Sequence, residues 1–147
     1  MKPPRIVIDT NVLVSALRSR RGASFELLRR LPLKTYRAVV TVPLVMEYVE
    51  VLHRDGMVPI SASAVDAVLD MLCATADTQP VFFLWRPILR DPNDEMVLEA
   101  AVNGEADYLL THNVRDFAAA RTFSVRIITP TDFLKGASIN SFLGMQC

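Results

Sequence analysis

Four acidic residues stand where predicted strands end or predicted helices begin: Asp9, Glu47, Asp94 and Asp116. In a parallel α/β sheet such positions converge on the crevice at the carboxyl ends of the strands, where these folds hold their ligands. Carboxylates that are gathered in one place repel each other unless a divalent cation neutralises them. The pattern therefore predicts a metal centre.

Asp9 follows the β-branched run RIVI, which is typical of a fully buried strand. Two residues later, Asn11 suits the N-cap of a helix that would begin at Val12. Capping explains Asn11 but leaves Asp9 unexplained. An acid that closes a buried strand loses hydration unless something compensates it, so we expect Asp9 to be functional.

Glu47 lies at the border of the apolar stripe of its predicted helix. At about 100° per residue, that stripe consists of Leu44, Tyr48, Val51 and Leu52. Glu50 points further outwards and is spaced to form a surface ion pair with Arg54. Glu47 is thus predicted to be half-buried, and it is the better candidate ligand of the two glutamates.

Asp94 belongs to a segment, DPNDEMVLEAA, that has the pattern of a helix start. Asp91 is predicted to cap the helix and Pro92 to occupy its first position. The buried face of this helix is defined by Val97, Leu98 and Ala101. Asp94 falls near the centre of that face, whereas Glu95 and Glu99 are predicted to point away. We therefore expect Asp94 to lie in a crevice.

The segment YLLTHNVRDF is predicted to be a strand that ends at Thr111 and a polar loop. In that loop, Asp116 has either a functional role or a structural one, as a partner of Arg115 or a turn cap. His112 is more typical of a solvated loop residue than of a ligand. Only the position of the loop at another strand end favours function.

The elements that must position these acids alternate between strands and helices. The predicted strands are RIVID, AVVT, VFFL, YLLT and VRIIT, with helices between them and a short terminal helix at PTDFLK. This alternation predicts an α/β/α sandwich with a mainly parallel central sheet of four to five strands. Residues 1–136 would form the domain, and the weakly patterned residues 137–147 a loose tail.

The composition is that of a single globular domain. The chain has 147 residues, is 51% hydrophobic and 22% charged, and has a formal net charge of zero. No apolar run is long enough to span a membrane, and the two cysteines are too few for a disulfide framework, so we expect a cytoplasmic protein. Basic residues cluster early in the chain, on either a phosphate-binding face or a solvated one: Arg18, Arg20, Arg21, Arg29, Arg30, Lys34 and Arg37.

Together, the motifs IDTN, DPNDEMVLEAA and DYLLTHNVRDF and the helical Glu47 resemble the PIN-domain family of ribonucleases. The match is closest to the small bacterial PIN proteins that are toxin partners in toxin–antitoxin pairs. It extends from about Arg5 to Lys135. No single motif is specific, but their order and spacing together are.

The resemblance implies roles for particular residues. Asp9, Glu47 and Asp94 match the three central metal-binding acids, and Asp116 falls in the fourth, more variable acidic region. Asn113 stands where many members carry aspartate. Polar positions that support the acids are matched by Thr10, Asn11 and Thr111.

The resemblance also implies an activity and partners. Carboxylate ligands without a thiolate or histidine cluster suit Mg²⁺ or Mn²⁺. The expected activity is metal-dependent hydrolysis of single-stranded RNA, which leaves a 5′-phosphate and a 3′-hydroxyl. A small antitoxin protein and a second copy of the chain in a homodimer are the expected partners, and apolar residues of FELLRRL are candidates for either interface.

Other functions fit less well. A phosphatase of the haloacid dehalogenase type needs a second acid two residues after the first, where this chain has Asn11. A receiver domain needs a lysine after a late strand, and Lys135 comes too late. The remaining alternative is a catalytically weak PIN-like scaffold that acts mainly through partner proteins.

Overall fold

The structure is a computed structural model that describes residues 2–81, 89 and 91–136. Its strands are β1 (Arg5–Ile8), β2 (Arg37–Val40), β3 (Asp77–Thr78), β4 (Tyr108–Leu110) and β5 (Arg126–Ile128). Its α-helices include α1 (Thr10–Arg18), α2 (Ala23–Arg29), α3 (Val42–Leu52), α4 (Ala62–Thr75) and α5 (Pro92–Asn103). Short 3₁₀ helices cover Leu31–Leu33 and Val114–Thr122, and residues 130–136 are helical.

The five strands form one parallel sheet in the order β3-β2-β1-β4-β5. β1 lies at the centre, between β2 and β4, and its residues Ile6, Val7 and Ile8 are buried. The chain runs from β1 towards one edge and later returns to the other side of β1. The carboxyl ends of β1 and β4 therefore meet at the point where the strand order reverses, which is the usual ligand position in open parallel sheets. The predicted α/β architecture and parallel sheet are confirmed.

The start of α5 agrees with the prediction, and α4 begins with a cap of the same kind. The Asp91 side chain accepts a hydrogen bond from the Asn93 backbone N–H at 2.9 Å, and Pro92 occupies the first turn of α5. Ser61 caps α4 in the same way, by accepting from the Ala64 N–H at 3.2 Å. These caps satisfy backbone donors that have no partner within the helix.

The start of α1 differs from the prediction. The helix begins at Thr10, and its N-cap position is occupied by Asp9, whose side chain makes no capping hydrogen bond. The Asp9 carbonyl already accepts from the Val12 N–H at 3.0 Å, so Asn11 lies inside the first turn and cannot cap it. The Asn11 side chain instead accepts from the His112 backbone N–H at 3.5 Å.

Two further elements differ as well. The third strand is Asp77–Thr78, which pairs with β2, whereas the predicted strand VFFL begins at the irregular Val81 and otherwise lies outside the described residues. The predicted loop NVRDF is the start of the 3₁₀ helix Val114–Thr122. The predicted tail, residues 137–147, also lies outside the described residues.

Three of the four apolar residues of FELLRRL were the wrong candidates for an interface, and the fourth, Phe25, is half-buried. Leu27, Leu28 and Leu31 are buried in the core, because α2 turns this face inwards against α1. Among the described residues, the large apolar side chains that are exposed lie elsewhere: Leu33, Val42, Met46 and Val49. None of the helices in the described ranges has the length and apolar character needed to cross a membrane.

Candidate metal centre

Asp9 is buried directly after the central strand. Its backbone N–H donates to the Leu110 carbonyl at 2.9 Å, and its Oδ2 accepts from the Thr111 hydroxyl at 2.7 Å. Thr111 is fully buried after β4 and also accepts from the Asn113 backbone N–H at 3.0 Å. Burial raises the pKa of Asp9, although the Thr111 hydrogen bond and the charge of His112 oppose that rise. One hydroxyl thus fixes this carboxylate at the junction of β1 and β4.

Glu47 is brought to the same end of the sheet by α3. Its neighbour Tyr48 is buried, and the Tyr48 hydroxyl donates to the carbonyl of Ile8, the last residue of β1. Glu47 is only 7% exposed, and its Oε2 is buried without a hydrogen-bond partner among the described residues. Burial, followed by the charges of Glu50 and Asp9, raises its pKa. Glu50 bonds to Arg54 on the solvent side, as predicted.

Asp94 enters from the first turn of α5, which packs against β1, β4 and α3. Partial burial is the main cause that raises its pKa to about 7, and the other acids contribute: Asp9, Asp91, Asp116 and Glu47. Glu95 does not simply point away, as predicted, because it is half-buried and accepts a hydrogen bond from the Leu89 N–H.

The remaining predicted residues occupy the rim of this cluster. Asp116 is exposed in the first turn of the 3₁₀ helix, yet it is close enough to contribute to the raised pKa values of Asp9 and Asp94. The Asn113 side chain is exposed. Thr10 is buried, and its hydroxyl has no hydrogen-bond partner among the described residues.

The structure therefore brings Asp9, Glu47 and Asp116 within electrostatic range of Asp94. A carboxylate that is buried without a partner, as at Glu47, is costly unless a cation or a proton compensates it. Oxygen donors of this kind fit Mg²⁺ or Mn²⁺. In the present side-chain arrangement, no three acidic, histidine or cysteine side chains of the described residues are close enough to share one metal ion. Metal binding would therefore require the carboxylates to approach each other further.

A cavity of about 550 Å³ opens beside the cluster. It is lined by Leu89, Asp91, Asp94, Arg115, Asp116, Ala118 and Ala119. A second cavity of about 560 Å³ lies at the opposite end of the sheet, beside the first residues of β4 and β5. Of the four predicted acids, Asp94 and Asp116 line the first cavity, and none lines the second. The first cavity is therefore the one that belongs to the acidic cluster.

One polar residue at this end of the sheet was missed by the sequence analysis. Ser24, in α2, is 3% exposed, and its hydroxyl lies 3.1 Å from Nε2 of His112. A signal existed, because Ser24 interrupts the apolar stripe that Leu27, Leu28 and Leu31 continue. The partner of Ser24 is 88 positions away, however, so the sequence did not indicate the pair.

The order of these acids and their convergence at the ends of β1, α3 and α5 can be compared with known proteins. The family model for the PIN domain matches residues 5–115. The chain belongs to the PIN-domain family. PIN domains are generally nucleases and typically use divalent metal ions. No curated protein sequence matches the chain.

The fold of this PIN domain is similar to that of a chain in the crystal structure of VapBC2 from Rickettsia felis bound to a DNA fragment from their promoter. The superposition has a TM-score of 0.58 and covers 84% of this chain and 98% of that chain. Because the two sequences are only 14% identical, the similarity concerns the fold alone.

Proposed function

We propose that this PIN domain is a metal-dependent endoribonuclease that hydrolyses single-stranded RNA at the cluster of Asp9, Glu47, Asp94 and Asp116. The observation that carries the proposal is the shared electrostatic environment of these four acids at the end of the central strand. Carboxylates that are held close together repel each other, which costs free energy until one of them is protonated or a cation binds. An arrangement with this cost indicates a function.

In this proposal Asp9, Glu47 and Asp94 hold Mg²⁺ or Mn²⁺, and Asp116 completes the site from the rim. When bound, the ion would supply a water of lowered pKa and stabilise the charge that develops on the phosphodiester. The Thr111 hydroxyl keeps Oδ2 of Asp9 in one orientation. Glu47 contributes an oxygen, Oε2, that has no described protein partner and is free to bind. Hydrolysis by water at phosphorus gives a 5′-phosphate and a 3′-hydroxyl.

The substitution Asp94→Asn tests the proposal. It removes one negative ligand with almost no change in shape, so cleavage of a labelled unstructured RNA in Mn²⁺ or Mg²⁺ should fall by at least roughly a hundredfold. The folded state should persist, as measured by circular dichroism. EDTA should abolish cleavage by the wild-type protein.

Asp91→Asn is the matched control, because it changes another aspartate of the same helix start and asparagine is an equally good N-cap. It should retain most of the activity. If Asp94→Asn cleaves RNA within a few-fold of the wild-type rate, Asp94 is not part of the centre. If the wild-type protein cleaves nothing and does not bind metal, the alternative of a catalytically weak partner-binding scaffold is favoured.

We also propose that the partners include a small antitoxin protein and a second copy of the chain. The first is supported by the PIN family and by the fold similarity to a chain of VapBC2, a toxin–antitoxin complex. Exposed apolar side chains on α3, at Val42, Met46 and Val49, offer a surface for contact. Light scattering of the purified chain, alone and co-expressed with the product of an adjacent gene, tests both partners.

A further inference from the structure

His112 is held in a fixed position although it lies at the surface. Its Nε2 is 3.1 Å from the buried hydroxyl of Ser24, and its backbone N–H donates to Asn11. The preceding residue, Thr111, is bonded to Asp9. His112 is thus attached to three separate elements, α1, α2 and the end of β4, within the same network that orients Asp9.

The position of the imidazole is next to the acidic centre. Its charge contributes to lowering the pKa of Asp9, which places the ring within electrostatic range of that carboxylate. The second ring nitrogen, Nδ1, has no hydrogen-bond partner among the described residues. One ring nitrogen, Nε2, is therefore anchored, and the other, Nδ1, is available to a ligand.

The chemistry of the ring defines what that ligand would be. When the Ser24 hydroxyl donates to Nε2, a neutral ring carries its proton on Nδ1, and a protonated ring has an Nδ1 proton in any case. In both of these states Nδ1–H is a hydrogen-bond donor, and the ring that carries it is within electrostatic range of Asp9. A phosphate oxygen is the acceptor that suits this position.

We propose that His112 binds a phosphate of the RNA strand through Nδ1, and that Ser24 is the residue that positions the ring. The proposal rests on the proposed nuclease function and adds a substrate contact to it. The buried Ser24 hydroxyl costs stability unless it is bonded, and the bond to His112 both satisfies it and holds the ring by Nε2, which leaves Nδ1 as the nitrogen that can bind a ligand.

Two substitutions at His112 separate this role from a structural one. His112→Gln places a polar atom near the position of Nε2, so it keeps the tether to Ser24 and loses the Nδ1 donor. His112→Asn keeps a donor near Nδ1 and loses the tether. If His112 binds phosphate, His112→Gln should raise the RNA concentration at half-maximal single-turnover rate roughly tenfold, with an unchanged melting temperature. His112→Asn should recover part of that loss, and Ser24→Ala should show a smaller increase of the same kind.

The chain contains only two histidines, His53 and His112, which makes a direct observation possible. His53 is the matched control, since it bonds to Asp66 and to the Val49 carbonyl. Imidazole nitrogen NMR signals, assigned with His53→Gln, should show a shift of the His112 Nδ1 resonance when a short RNA is added with Ca²⁺. The His53 signals should stay unchanged.

The outcomes distinguish the two proposals. If the wild-type protein cleaves RNA and Asp94→Asn does not, while His112→Gln matches the wild type and the His112 signal does not move, only the phosphate contact is wrong. If RNA neither binds nor is cleaved, both are overturned. If His112→Gln only lowers the melting temperature and leaves the kinetics unchanged, the residue is structural and the phosphate contact is again wrong.

Discussion

At the scale of single residues, Asp94 shows how the acids of the centre affect each other. Burial is the main cause that raises its pKa in the folded protein to about 7, from an ordinary value of 3.8. Between about pH 4 and pH 7, Asp94 therefore keeps a proton in the folded state that it has already released in the unfolded chain. By linkage, the free energy of unfolding falls as pH rises through that window, and the loss is constant above it.

The metal-free protein should accordingly be more stable with Asp94→Asn than with aspartate at pH 8, and the difference should shrink as the pH falls towards 4. Thermal melts of the two proteins in EDTA, at half-unit pH steps, measure it. Addition of Mg²⁺ at pH 8 should raise the wild-type melting temperature more than that of the variant. A wild-type protein that melts higher than Asp94→Asn in EDTA at pH 8 would contradict mutual repulsion.

The sequence predicts the acids of this centre better than it predicts the groups that hold them. Asp94 and Glu47 can be placed from helical periodicity, because each belongs to a helix whose apolar face is clear. The Thr111–Asp9 bond spans 102 positions and the Ser24–His112 contact spans 88. Such pairs are created by strand order and helix packing, which no local pattern encodes.

At the scale of elements, the fit of α5 against β2 depends on one small residue. Gly104 follows α5, and a Cβ atom there would lie 2.4 Å from Cγ1 of Val39 and 2.9 Å from the Ala100 carbonyl oxygen. Its φ of −84° is accessible to any residue, so glycine is required for space and not for conformation.

Gly104→Ala should therefore lower the free energy of unfolding by about 1–3 kcal/mol, because α5 or β2 must shift to admit the methyl group. Gly136→Ala is the control, since a Cβ at that position has no atom within 4 Å. Urea denaturation of the three proteins measures the difference. Equal losses for both variants would mean that contact with Val39 is not the cause.

The elements that were predicted correctly are those with strong local signals. Helix α5 has a cap that bonds as predicted, and β1, β2 and β4 are mostly apolar runs. The edge strand β3 was missed because its two residues, Asp77 and Thr78, are polar. It is held by non-local interactions, since Asp77 bonds to Arg5 and Arg37, each at 2.6 Å.

At the scale of the whole molecule, the net charge of zero conceals a separation of charge. Arginines begin three strands of the sheet: Arg5, Arg37 and Arg126. The acids of the centre lie at the opposite end. Of the early basic residues, Arg29 and Arg30 pair with Glu26, and Arg37 pairs with Asp77. The cavity that would receive RNA is lined by three acids, Asp91, Asp94 and Asp116, and by one base, Arg115, so its formal charge is negative.

RNA should therefore bind well only after a divalent cation has offset this charge. We expect the affinity for a fluorescent single-stranded RNA to be at least roughly tenfold higher in Ca²⁺ than in EDTA at the same ionic strength, as measured by anisotropy. Asp94→Asn should reduce this dependence on Ca²⁺. Equal affinity in both buffers would indicate that the strand binds elsewhere, for example at the exposed Arg20 and Arg21.

The central position of β1 also determines when the centre comes into existence during synthesis. The strand that ends before Asp9 pairs with β4, and the Asp9 carboxylate bonds to Thr111, 102 positions later. A ribosome needs roughly 5 to 20 s to add that length of chain. A growing polypeptide consequently carries Asp9 for several seconds before Thr111 exists, so the centre cannot assemble until β4 and Thr111 have been made.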